Sequence, residues 1–159
     1  MGESTDTDAA PGAQGHRHLP AAAAMIIGAL SVGLITRLLL LPYVSEDSSF
    51  FLLPWMDEFR AQGASALGDD FSNYNFPYLF LMFLASLLPL EPLIAVKLVS
   101  IVGEVLLAYS VAALARTLRP TRFGPAALGA AALLLPTVLM NASMWGQCDA
   151  IYSAFIVLS

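Results

Sequence analysis

The sequence predicts an all-α fold, a polytopic membrane helix bundle with an external loop that carries juxtamembrane helices. Three observations predict it. Of 159 residues, 58% are hydrophobic and 12% charged, against about 25% charged in a soluble domain. The mean hydropathy is +0.73. Apolar runs far longer than a strand or a core helix recur along the chain. The same composition narrows function. A single lysine, with no basic cluster interleaved with aromatics, leaves no nucleic-acid footprint. One cysteine, Cys148, excludes an internal disulfide and a multi-cysteine metal site. His16 and His18 both stand in the N-terminal tail, which excludes a histidine-based catalytic site in the membrane portion.

Residues 1–19, "MGESTDTDAAPGAQGHRHL", are polar, lack apolar periodicity and are expected to be a disordered tail. Acids, Pro and Gly occupy the region where a signal peptide would be basic. The membrane domain is expected over 20–159. Its first span is 21–42, whose 22 residues cover roughly 30 Å, the thickness of the hydrocarbon layer. Arg37 interrupts this span about one turn from its end. It reads either as a cation snorkelling to the headgroups or as one facing an anionic ligand at the membrane surface.

Residues 43–74 form a polar loop with six acids and one base. Phe51, Trp55 and Phe59 recur at a spacing of four, and Pro54 suits a first helical turn. A surface helix beginning near Pro54, aromatics down on the bilayer, is therefore expected. Between Pro77 and Pro89 the apolar stretch is only about a dozen residues, more typical of a re-entrant or interfacial segment than of a span. Further spans are expected at about 92–115 and 123–141. A last one, 146–159, ends within the apolar run "AIYSAFIVLS" and predicts a longer parent protein.

Charge selects the layout. The loop "RTLRPTR" has three arginines and no acid. Cytoplasmic loops are the arginine-rich ones, which puts this loop and the N-terminus inside if 75–90 lies flat. Residues 43–90 then form an external loop with surface helices, and "MNASMWGQCD" emerges on the same outer face as "SEDSS". That face gathers Asp47, Asp57, Asp69, Asp70, "SNYNFPY" and Asp149. There is no Ser-His-Asp set and no phosphate-cradling glycine loop, so carboxylate chemistry at a membrane surface remains.

Four segments, "SEDSSFFLLPW", "SNYNFPYLFL", "AVKLVSIVGEVLLAY" and "LLLPTVLMNASMWGQCDAIYSAF", resemble in order and spacing the N-terminal part of GT-C glycosyltransferases. These multi-spanning enzymes use polyprenyl-phosphate sugars. The likeness is to bacterial mannosyltransferase-like proteins related to the second mannosyltransferase of GPI-anchor synthesis, and it covers roughly 25–159. The resemblance implies a bacterial plasma-membrane glycosyltransferase that moves a hexose, mannose foremost, from a polyprenyl-phosphate donor to a glycan or lipid acceptor on the outer face. It implies Asp47, eight residues before Trp55, as the catalytic base. It also implies Asn73, Tyr74, Trp145, Gln147 and Asp149 as substrate-binding residues, with Arg37 as a cation for the lipid phosphate. "NYNFP" departs from the family's "NYPP"-type segment in lacking its first proline. The scheme needs no general acid and leaves a divalent cation open. The adjacent acids Asp69 and Asp70 are the candidate pair for a divalent cation.

Each residue also has a plainer reading. Asp47 fits a solvated acid or a helix N-cap. Asp149 fits a helix N-terminal charge favoured by the dipole, and Trp145 and Gln147 fit interfacial anchors. Lys97 and Glu104, seven apart on one face of a span, fit an intramembrane ion pair or interhelical contact. The rival function is a multi-spanning transporter with Lys97 and Glu104 around a midplane site. A membrane scaffold without chemistry is a third.

Overall fold

The structure, a computed structural model, describes residues 21–118 and 124–159; the expected N-terminal tail and most of the arginine-rich loop lie outside the described residues. Among the described residues every regular element is helical. Helix α1 runs Ala21–Leu40, α2 Leu53–Gln62, α3 Phe76–Ser86, α4 Pro92–Thr117, α5 Pro125–Leu133, α6 Pro136–Met140 and α7 Asp149–Leu158. Proline stands in the first turn of α2, α3, α4, α5 and α6, where its missing N–H costs nothing and its fixed φ suits the helix. Glu91 caps α4, its carboxylate accepting the N–H of Ile94 at 3.1 Å.

Two helices are long and apolar enough to cross a membrane, within α1 and over all of α4. At 11 residues, α3 covers about 16 Å, too short to cross. It packs on α2 and α4, in keeping with the layout in which 75–90 does not span. The expected continuous span at 123–141 is instead broken. Helix α5 and the segment from Pro136 to Trp145 meet at a 50° bend. Pro136 explains the break, since it has no N–H to continue the ladder and excludes the helical carbonyl beneath it. A π-helical turn, Asn141–Trp145, completes this segment.

The central helix is α4. Helices α2, α3, α5 and α7 and the 141–145 turn all pack on it, while α1 packs on α5, α6 and that turn. Glycine allows two of these approaches. A Cβ at Gly129 would stand 2.6 Å from the Ala108 carbonyl oxygen, and one at Gly103 would stand 2.5 Å from Ile151 Cγ1. Small residues let helix backbones close in where lipid offers no hydrophobic drive.

Charged side chains tie α1 to its neighbours. Arg37 Nε donates to Glu104 Oε2 at 2.8 Å, and its Nη2 donates to the Leu133 carbonyl at 2.7 Å. Both Arg37 and Glu104 are largely buried, 11% and 1% exposed. The Pro136 break leaves the Leu133 carbonyl without its helical donor, and the guanidinium supplies one. Arg37 is thus committed inside the bundle, neither snorkelling nor facing a surface ligand as the sequence suggested. Lys97, fully buried, donates its three protons to the carbonyls of Leu40 (3.1 Å), Leu41 (2.8 Å) and Tyr43 (2.5 Å). The interhelical reading of Lys97 and Glu104 holds, with α1 as the partner of each.

Glu104→Ala leaves a buried guanidinium with only carbonyl partners. The expected loss is about 3–5 kcal/mol, read by thermal unfolding in detergent. The double variant Arg37→Leu/Glu104→Leu is expected to lose less than the single change, because no uncompensated charge remains.

Candidate functional site

The C-terminal end of α1, the N-terminal ends of α4 and α7 and the 141–145 turn meet at one end of the bundle, where the 43–91 segment also folds. Local sequence sets the geometry there. Helical backbone begins at Glu46, about two turns earlier than Pro54 had suggested, and passes through a π-helical turn, Ser48–Leu52, into α2. Ser45 is the cap, its Oγ accepting the Ser48 N–H at 3.1 Å. Asp47 is therefore not the cap. It sits in the first turn, where the helix dipole favours a carboxylate.

The aromatics of α2 do not lie on the bilayer. Trp55 and Phe59 are buried in the core with Tyr78, Met82 and Val96, and only Phe51 of the expected stripe remains exposed. The reason is α3 and the loop before it, which offer apolar partners in place of lipid. Phe59 stacks edge-on to Phe71 and Trp55 edge-on to Tyr74, each with ring centres 5.3 Å apart.

The opposite wall comes from "WGQCD". The 141–145 turn ends at Gly146, whose φ of 74° is left-handed, a conformation that costs a residue with a Cβ about 1–2 kcal/mol. This reversal sends the Trp145 carbonyl back onto the start of the 46–62 helix. It accepts there from Ser48 Oγ at 3.0 Å and Ser45 Oγ at 3.3 Å. Gln147 follows, and its Nε2 donates to Asp47 Oδ2 at 2.5 Å.

Asp47, Phe51, Trp55, Asn73, Tyr74 and Gln147 together line a cavity of about 190 Å³. Four sequence-predicted residues, from three segments far apart in the chain, thus share one cavity. The Tyr74 phenol is pushed above its ordinary pKa, first by burial and then by the neighbouring ionisable groups Cys148, Asp149, Tyr152 and Asp47. It is a hydrogen-bond donor at neutral pH. A carboxylate, two amides, a phenol and an indole, with no cation among the lining residues, suit a neutral hydroxylated ring better than an anion.

The other predicted residues are elsewhere. Trp145 and Asp149 line a separate cavity of about 350 Å³, and Arg37 faces Glu104. Asp69 and Asp70 are exposed, and among the described residues no three His, Cys, Asp or Glu side chains converge to hold a metal ion. Sequence reading missed Ser45, Ser48 and Asn141. A serine two residues before an acid in a first turn is a helix-start signal, and it marks Ser45. Comparison with protein-family models, curated proteins and solved structures found no match to this chain.

Ser45→Ala removes both the cap and a bond to Trp145. It is expected to cost about 0.5–2 kcal/mol, measured as a lowered thermal midpoint. Glu46→Gln, at an exposed position, is expected to leave the midpoint unchanged.

Proposed function

We propose that this chain forms part of a membrane glycosyltransferase of the GT-C type. It transfers a hexose, mannose foremost, from a polyprenyl-phosphate donor to an acceptor hydroxyl on the outer face of the membrane. The observation that carries the reading is the convergence of Asp47 with Asn73, Tyr74, Trp55 and Gln147 in one cavity at one end of the bundle. Carboxylate, amide and aromatic groups of this kind are what a sugar ring meets.

In this reading Asp47 is the general base. Gln147 fixes its Oδ2, and Oδ1 remains for the acceptor hydroxyl. The acceptor oxygen forms its bond to the anomeric carbon as its proton passes to Asp47. The bond from that carbon to the lipid-phosphate oxygen breaks on the opposite face, so the configuration inverts and the electron pair leaves with the phosphate. Phosphate needs no general acid. No cation lines the cavity, and Lys97 and Arg37 are committed to bonds between helices. The cavity therefore serves the sugar and hydroxyl side of the reaction, and the donor phosphate is met outside it. A transporter would keep Lys97 and Glu104 for a midplane ligand, and both are already engaged with α1.

In this reading the N-terminus is in the cytoplasm and residues 43–90 are outside, as the arginine-rich loop favours, and the resemblance adds a bacterial plasma membrane. Cysteines introduced at Asp69 and Arg116 in a Cys148→Ala background are expected to react with an impermeant maleimide from opposite sides. Labelling of both from one side refutes the layout.

Asp47→Asn is expected to lower mannose transfer from a polyprenyl-phosphate donor, in membranes carrying the whole protein, by about 10²–10⁴-fold. Unchanged transfer by that variant rules Asp47 out as the base.

A further inference from the structure

The segment 145–149 is a partition. Gln147 faces the Asp47 cavity, while Trp145 and Asp149 line the second cavity, between α4, α6 and α7. We propose that this second cavity is a distinct subsite for the neutral, polyhydroxyl head of an amphipathic lipid. It goes beyond the Asp47 reading and stands without it.

The carboxylate, the amide and the indole cluster at one end. Asp149 opens α7, and its Oδ2 accepts from Asn141 Nδ2 at 3.0 Å. That bond orients the pair and leaves the remaining carboxylate lone pairs and the Asn141 carbonyl to accept from adjacent hydroxyls. Thr137 and Ser153 add hydroxyls of their own, and the Trp145 indole, 39% exposed, offers a flat apolar face. The two hydroxyls lie about a turn deeper, at the level of the apolar groups. Ile151 packs on Gly103, which sets the register of α7 on α4 and places Leu107 about a turn further from the Asp149 end, beside Val138. Beyond Ser153 on α7 the surface is apolar, with Ile156 74% exposed. The face of α7 that carries Asp149 and Ser153 thus continues into exposed apolar surface, against which the tail of an amphipathic molecule would lie.

Charge decides which head fits. The lining has one carboxylate and no cation. A phosphate head would be repelled and left unpaired, whereas hydroxyls can donate to the carboxylate in charge-assisted bonds. This selects a sugar or polyol head over a phospholipid.

In a protein of these 159 residues, which hold two tryptophans, Trp55→Phe leaves Trp145 as the reporter. That protein, in phosphatidylcholine nanodiscs, is titrated with octyl β-mannoside and separately with octyl phosphate. The mannoside is expected to shift the Trp145 emission saturably and the phosphate to leave it unmoved. Asp149→Ala is expected to weaken the mannoside response about 10- to 100-fold. Leu107→Phe, which fills the apolar end and keeps every polar group, is expected to weaken it as well, and Asp47→Asn to leave it unchanged. Equal responses to the two heads, a linear response without saturation, or indifference to both Asp149→Ala and Leu107→Phe overturns the proposal. Loss of the response in Asp47→Asn also overturns it, by making the two cavities one site. Transfer activity in the same Asp47→Asn protein reports on the catalytic reading separately.

Discussion

The ammonium of Lys97 sits at the end of α1, and most of the candidate site stands on it. A helix end leaves carbonyls without partners, and a buried lysine without partners costs several kcal/mol. Here the two needs meet. Three ammonium protons saturate the carbonyls of Leu40, Leu41 and Tyr43, and the negative end of the α1 dipole favours the charge. The chain leaves this fixed point over a few residues to reach Ser45 and Asp47. On the other side, the Lys97 stem and Val96 pack beneath Gly146. One side chain thus sets the floor under both the segment that carries Asp47 and the segment that carries Gln147.

The break at Pro136 works in the same sense. A straight helix from 125 to 145 would leave no unsatisfied carbonyl for Arg37, which would then have only Glu104 and the Gly33 carbonyl of its own helix. Breaking the helix frees the Leu133 carbonyl, which with Glu104 completes a buried cation site between α1, α4 and α5. Two π-helical turns then face one another, Ser48–Leu52 and Asn141–Trp145. Such turns occur often at functional sites. Here the hydroxyls of Ser45 and Ser48 bond the Trp145 carbonyl across the gap, so the two irregular turns hold each other in register beside the cavity.

Hydropathy alone was enough to place α1 and α4, because a run of 20 apolar residues has few alternatives. The short α3 was equally readable from the spacing of Pro77 and Pro89. The grouping of Asp47, Asn73, Tyr74 and Gln147 came from the family resemblance, with the charge layout putting their segments on one face. What was not readable depended on partners. Phe51, Trp55 and Phe59 have the spacing of a surface stripe whether they meet lipid or protein, and only the position of α3 decides. Arg37 near a helix end looks the same whether it snorkels or pairs, and its partner lies 67 residues away. The division of "WGQCD" between two cavities needs the left-handed turn at Gly146, and the glycine was the one hint of it.

That division bears on why so apolar a chain places acids where it does. Each of these two cavities has a carboxylate held by an amide, Asp47 by Gln147 and Asp149 by Asn141. Neither is lined by a cation. In each pair the amide spends one N–H on one carboxylate oxygen and so fixes the carboxylate plane without neutralising its charge. A salt bridge would have oriented the acid just as well but consumed the charge that a hydroxyl proton seeks. Lys97 and Arg37, meanwhile, are engaged within the bundle, on carbonyls and on Glu104. The separation of charge follows from this economy of partners: Arg37 and Lys97 join helices, and amide-held carboxylates face the two cavities.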